Sequence, residues 1–170
     1  MSRRLPRWVE PVPPGPGQES VWDYPRPPRV EPSSRRIVVE SGGRVLVDTV
    51  SAVRLLETSH PPSWYLPLAD CDPTMLVASA RGSWCEFKGE ASYFDVVAGD
   101  RRERDAAWTY ERPTRGFESL TGLIAIYPGR MDRCTVDGEV VRPQEGGFYG
   151  GWITADVVGP FKGGPGTAGW

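Results

Sequence analysis

Proline and glycine punctuate this chain so densely that they constrain its fold before any other feature. Proline occurs 18 times and glycine 20 times among 170 residues. Proline cannot donate to a hydrogen-bonded ladder, and glycine supplies the left-handed positions of tight turns. With seven tryptophans and six tyrosines, this pattern predicts a mainly β fold of short strands joined by tight turns. The length suits one domain, and 39% hydrophobic residues are enough for a packed core. The net charge is only −2 and no lysine–arginine stripe exists, so no nucleic-acid partner is expected. No stretch is apolar enough to span a membrane. Pro6 and charged residues follow Arg3 and Arg4 where a signal peptide needs an apolar run, so the expected location is cytoplasmic.

Residues 1–20 are rich in proline and glycine and read as an extended or disordered arm. Residues 21–145 form the expected all-β domain, and residues 146–170 a glycine- and aromatic-rich tail packed on it. Val21 to Pro28 is a proline-stiffened strap that Trp22 and Tyr24 can anchor to a sheet. Arg36–Glu40, Ser41-Gly42-Gly43 and Arg44–Asp48 make a hairpin. Ser51–Glu57 fits either a short helix or a strand and is stopped by His60-Pro61-Pro62. Asp72-Pro73 has the form of a helix cap followed by its first residue. Arg101, Arg102 and Arg104, interleaved with Asp100, Glu103 and Asp105, read as a solvated turn. Gly89-Glu90 between Trp84–Lys88 and Ala91–Val97 predicts a two-residue hairpin. Its register sets Lys88 opposite Ala91, Glu86 opposite Tyr93 and Trp84 opposite Asp95. These six then share a mixed aromatic and ionic face, and Cys85 falls with Phe87, Phe94 and Val96 on the core face.

Five ordered stretches carry a family resemblance. They are Val21-Trp22-Asp23-Tyr24-Pro25, Leu56-Glu57-Thr58-Ser59-His60-Pro61-Pro62, Cys85 with Lys88-Gly89-Glu90-Ala91-Ser92-Tyr93, Ala106-Ala107-Trp108-Thr109-Tyr110, and Ile126-Tyr127 with Arg130 and Asp132. Over residues 21–135 the chain resembles the domain of unknown function 427 family. The resemblance implies a single compact curved sheet, tent- or barrel-like, with one or two short helices. Some classifications attach a nucleotidyltransferase label to that family. This sequence has no Gly-Ser followed by paired carboxylates, and Lys162 among its glycines lacks the spacing of a phosphate loop.

His60 is the only histidine. The rigid Pro-Pro after it fixes its direction, and Glu57 three residues earlier can orient it, a pairing suited to proton transfer. Set against that role, His60 would simply cap a turn. Lys88 beside aromatics suits an anion contact or an amine nucleophile, against a default of surface solubility. Tyr93, Trp108 and Tyr65 are candidate walls and equally candidate core. Arg130 suits either an anion contact or an ion pair with Asp132. Cys85 is a candidate nucleophile with His60 as base, but the expected register buries it. The cysteines, Cys71, Cys85 and Cys134, are odd in number and none forms a C-x-x-C pair, so neither a disulfide framework nor a metal site is expected. No cofactor can be named. The leading reading is an enzyme or binding domain for a small anionic metabolite, with His60, Glu57 and Lys88 catalytic and a monomer or homodimer as its state. The alternatives are a non-catalytic protein-interaction module and thiol chemistry at Cys85.

Overall fold

The computed structural model describes Leu5, Pro6 and residues 8–170; Met1–Arg4 and Arg7, which include part of the expected arm, lie outside the described residues. In chain order the strands are β1 (Glu19–Ser20), β2 (Arg29–Ser33), β3 (Ile37–Ser41), β4 (Arg44–Thr49), β5 (Ala52–Leu56), β6 (Ser63–Pro67), β7 (Leu76–Cys85) and β8 (Gly89–Ala98). They continue with β9 (Arg101–Thr109), β10 (Leu123–Ile126), β11 (Arg133–Val136), β12 (Glu139–Val140), β13 (Arg142–Pro143), β14 (Trp152–Ile153) and β15 (Val157–Val158). The fold is mainly β, as expected, and its only helical elements among the described residues are single 3-10 turns such as Pro73–Met75. No described helix is long and apolar enough to cross a membrane.

The described strands form four sheets, two of them two-stranded pairs, β1 with β15 and β13 with β14. An antiparallel seven-stranded sheet runs β2-β5-β6-β10-β9-β8-β7, and a four-stranded sheet runs β12-β11-β3-β4. The larger sheet does not close into a barrel, because its edge strands β2 and β7 do not pair. Side chains alternate across a strand with period two, so both faces of this sheet can bury apolar groups. Trp64, Leu66, Ile124 and Ile126 face the small sheet and pack with its Ile37, Val39, Leu46 and Val136. Tyr65, Ala125, Trp108 and Tyr93 form a second cluster on the opposite face. A fully buried side chain such as Leu66 contributes about 1.5–3 kcal/mol.

Local chemistry explains most elements. Gly42 and Gly43 adopt positive φ and turn β3 into β4. Asp72 caps the Pro73–Met75 turn by accepting from the Thr74 amide at 2.9 Å. The ambiguous segment 51–57 is strand β5, paired to β2 on one side and β6 on the other. A helix of that length is marginal alone, whereas pairing on two sides satisfies its backbone groups. The charge-mixed stretch Arg101–Asp105 is strand rather than turn; its charges are paired, Arg102 across the sheet with Asp95 at 2.7 Å and Glu103 with Arg130 of the Pro128–Arg130 turn at 3.2 Å.

The arm and the tail are joined. The Val12 amide donates to the Gly159 carbonyl at 2.8 Å, and β1 pairs in parallel with β15. Over its described residues, the arm read as extended or disordered is held to the tail by these bonds. Trp22 donates from its indole to the Pro160 carbonyl at 2.9 Å and lies edge-on to Trp170. Trp152, fully buried, donates its indole N–H to the Ile126 carbonyl at 3.1 Å.

Candidate functional site

The sheet face turned away from the small sheet carries a continuous row set by register. Val53 lies opposite Tyr65, Tyr65 opposite Ala125, Ala125 opposite Trp108, and Trp108 opposite Tyr93. Directly opposed residues share a face, and small Ala125 leaves space between the two large rings beside it. Across that space the Trp108 indole donates to the Tyr65 hydroxyl at 3.3 Å. Tyr127 packs on Trp108 with centroids 4.6 Å apart. Burial raises the pKa of Tyr65 and Tyr110 well above the ordinary tyrosine range and holds Tyr127 near about 12. All three stay neutral and can act as hydrogen-bond donors.

The β7–β8 hairpin differs from its expected register. Cys85 pairs with Gly89, Trp84 with Glu90 and Ser83 with Ala91, so the connection is Glu86-Phe87-Lys88 rather than Gly89-Glu90. Gly89 still takes a positive φ, now as the first residue of β8. The offset between the two registers is odd, so the faces of β7 exchange. Cys85 and Ser83 share a face with Tyr93, and the Ser83 hydroxyl is 2.9 Å from that of Tyr93. Trp84 turns outward, 71% exposed at the rim. Cys85 is therefore not on the core face opposite Tyr93 but lines the cleft, half-buried.

The second wall is the loop after β5. Ser59 has φ 73° and turns the chain sharply, and the His60 amide donates to the Glu57 carbonyl at 3.1 Å. The C-terminal segment then closes over this loop. The Lys162 amide donates to the Ser59 carbonyl at 2.8 Å, and the Gly151 amide to the Gln144 side-chain oxygen at 3.1 Å. That bond fixes the Gln144 amide. Its nitrogen donates to the Lys162 carbonyl at 2.6 Å and faces His60 Nδ1 at 3.1 Å. Nδ1 is thus the acceptor, which leaves the ring proton on Nε2. Nε2 lies 3.5 Å from the Glu57 carboxylate, and Glu57 also lies 3.5 Å from Arg26. Burial pushes the His60 imidazole down to about 3, and the charges of Lys162, Arg26 and Lys88 push the same way. At neutral pH it is uncharged.

Between these walls lies a cleft of about 300 Å³. Of the residues expected to form a site, Glu57, His60, Lys88, Tyr93, Trp108 and Cys85 line it. Tyr65 does not; it lies fully buried beneath, holding Trp108. Arg130 is elsewhere, bound to Glu103 at 3.2 Å and to the Arg104 carbonyl at 2.7 Å. Asp132, its expected partner, instead pairs with Arg101 and accepts from the Gly43 amide at 3.3 Å. Gln144, Phe148, Tyr149 and Lys162 complete the cleft and were not among the expected site residues. Beyond the tail's aromatic content, their sequence signal is the pair Gly150-Gly151. A Cβ on Gly150 would overlap the Trp108 ring, and one on Gly151 would meet the Pro61 carbonyl at 2.8 Å, so these glycines permit the segment's close approach.

Two ammonium groups face the cleft. Lys88 lies 5.5 Å from the centroid of Tyr110, and Lys162 lies 5.8 Å from that of Tyr149 while donating to the Trp170 carbonyl at 3.1 Å. Neither has an Asp or Glu side chain within ion-pair distance among the described residues. Glu86, which also lines the cleft, is exposed at its mouth. Among the described residues no three His, Cys, Asp or Glu side chains converge as metal ligands do. Burial raises the Cys71 and Cys134 thiols to about 12, which makes them inert packing residues.

The family model for Domain of unknown function (DUF427) matches residues 29–137. The chain belongs to the domain of unknown function 427 family. Comparison with curated proteins finds no match. The DUF427 match takes in the sheet row, the His60 loop and the Lys88 turn. Gln144, Phe148, Tyr149 and Lys162 lie beyond it.

Proposed function

We propose that the cleft is a binding site for a small organic anion. The observation that carries this reading is the pair Lys88 and Lys162, two ammonium groups with no Asp or Glu side-chain partner among the described residues, set beside a neutral histidine in an aromatic-walled cleft. Partly desolvated cations attract an anion more strongly than exposed ones do. The cleft volume falls at the low end for small-molecule sites. In this reading the acid–base role expected of His60 becomes a positioning one. Nδ1 is engaged by Gln144, and the proton on Nε2, 3.5 Å from the Glu57 carboxylate, is left for a ligand.

A thermal-shift screen of carboxylates, keto acids and sugar phosphates tests this, with Lys88→Ala and Lys162→Ala in parallel. A ligand at 100 times its Kd stabilises by about 2.7 kcal/mol, which raises Tm by about 5–11 °C for a domain of this size. The shift is expected to vanish in both variants. No shift with any anion, or shifts that both variants retain, refutes the proposal.

One observation favours a second reading, thiol-dependent transfer or redox chemistry. Cys85 is the one cysteine that lines the cleft, half-buried on the face of Tyr93. Native alkylation followed by mass spectrometry tests access. That reading expects Cys85 to label well before Cys71 and Cys134, and equal labelling rates refute it.

A further inference from the structure

Resting on the anion-site reading, we propose that the ligand is an aromatic carboxylate, its ring held between the cleft's aromatic walls and its carboxylate between Lys88 and Lys162. The floor is a row of rings, Trp108 flanked by Tyr93 and packed by Tyr127. Tyr149 stands on the other wall, 5.2 Å from the His60 ring. Trp84 and Phe148, 71% and 64% exposed, are two of the largest exposed apolar groups described, and both line this cleft. Large apolar side chains left in water around one mouth mark a place where apolar surface is to be covered. A planar ring meets such walls by stacking or edge contacts, which an aliphatic chain cannot make equally.

The anion end argues for a carboxylate over a phosphate. Phosphate sites commonly add a guanidinium fork, a backbone nest or a helix N-terminus to the lysines they use. Among the described residues no arginine lines this cleft, although Arg81 lies over the Tyr93 ring, 4.5 Å from its centroid, and the bordering elements are strands and turns. Two ammonium groups remain, each a point charge with three donors. Lys162 commits one donor to Trp170 and Lys88 leans on Tyr110, leaving donors free for the two oxygens of one carboxylate. The cleft volume of about 300 Å³ admits one or two fused rings.

Isothermal titration calorimetry on the full chain separates the requirements with four probes: 2-naphthoate, the neutral 2-naphthylmethanol, cyclohexanecarboxylate and inorganic phosphate. 2-Naphthoate is expected to bind, with each other probe weaker by about tenfold or more. Lys88→Met and Lys162→Met are each expected to weaken 2-naphthoate by about tenfold while leaving 2-naphthylmethanol unchanged. If the Lys162 variant unfolds through loss of its Trp170 contact, Lys162→Arg with the Lys88 variant carries the comparison. Cyclohexanecarboxylate or phosphate binding as tightly as 2-naphthoate overturns the aromatic assignment but leaves the anion site standing. 2-Naphthylmethanol binding as tightly as 2-naphthoate, or no anion binding at all, overturns both.

Discussion

Replacing His60 converts the site's electrostatics into a measurable dependence of stability on pH. In the unfolded chain the imidazole titrates near its ordinary 6.5, and in the fold burial first, then Lys162, Arg26 and Lys88, hold it at about 3. The folded value is the lower one, so on acidification the unfolded state takes up this proton first. The stability linked to neutral His60 is therefore complete above about pH 6.5, declines as the pH falls, and is exhausted only near about pH 3. At about pH 5 the gap below the unfolded value is about 1.5, and at about 1.36 kcal/mol for each pH unit the loss is about 2 kcal/mol. The side chain is only 17% exposed, so solvent screens little of this. Carboxylates such as Asp95 and Asp156, held below their usual range by hydrogen bonds and by Arg102 and Arg35, also lose stability in acid. His60→Gln isolates the histidine, because it keeps an acceptor for Gln144 and removes the titration. Urea unfolding of both proteins at about pH 7.5 and about pH 5 should show the wild type losing about 2 kcal/mol more than the variant. Equal losses would mean that the ring is not held neutral by its neighbours, and the positioning role assigned to His60 would fall with it.

Three further changes probe how the cleft is built. Tyr65→Phe leaves the buried Trp108 indole without its acceptor and is expected to cost about 1–3 kcal/mol in chemical denaturation, with Tyr127→Phe, whose hydroxyl makes an exposed bond to Phe148, as the near-neutral control. Gly150→Ala places a methyl on the Trp108 ring; an overpacking cost of about 1–3 kcal/mol is expected, together with loss of any anion-induced thermal shift. Ser59→Gly removes a left-handed non-glycine residue whose buried hydroxyl has no hydrogen-bond partner. Relief of about 1 kcal/mol of backbone strain and of the orphaned hydroxyl should outweigh glycine's extra unfolded-state entropy, so Tm should rise by about 2–4 °C; a fall would show that Ser59 is held by contacts other than its backbone.

The β7–β8 hairpin shows what local sequence can and cannot decide here. Where the turn is determined by the residues in it, as at Gly42-Gly43 or Asp72-Pro73, the elements lie where the sequence places them. Gly89-Glu90 has equally good turn chemistry, yet the chain turns at Glu86-Phe87-Lys88, just before it. The reason lies outside the hairpin. The Thr114 amide donates to the Lys88 carbonyl at 3.0 Å and the Thr114 hydroxyl to the Phe87 carbonyl, and Gly89 is buried against Arg112 and Thr114. Two backbone acceptors gain partners from the 112–114 loop only when Glu86-Phe87-Lys88 is the connection, and no pattern within residues 84–97 encodes that loop's position. The same limit governs the site. Glu57, His60 and the prolines after it are legible because three residues of spacing bring them together. Gln144 meets His60 across 84 positions of chain, and Lys162 arrives from farther still through contacts that Gly150 and Gly151 allow. Aromatic and histidine content locates one wall of the cleft, while the cation that completes it comes from a segment whose sequence reads as a glycine- and aromatic-rich tail. Lys162 is therefore the more informative of the two lysines to mutate. Lys88 sits in a turn where a surface lysine needs no explanation, whereas Lys162, tied by its amide to Ser59, by its carbonyl to Gln144 and by its ammonium to Trp170, is held at the cleft by three separate bonds.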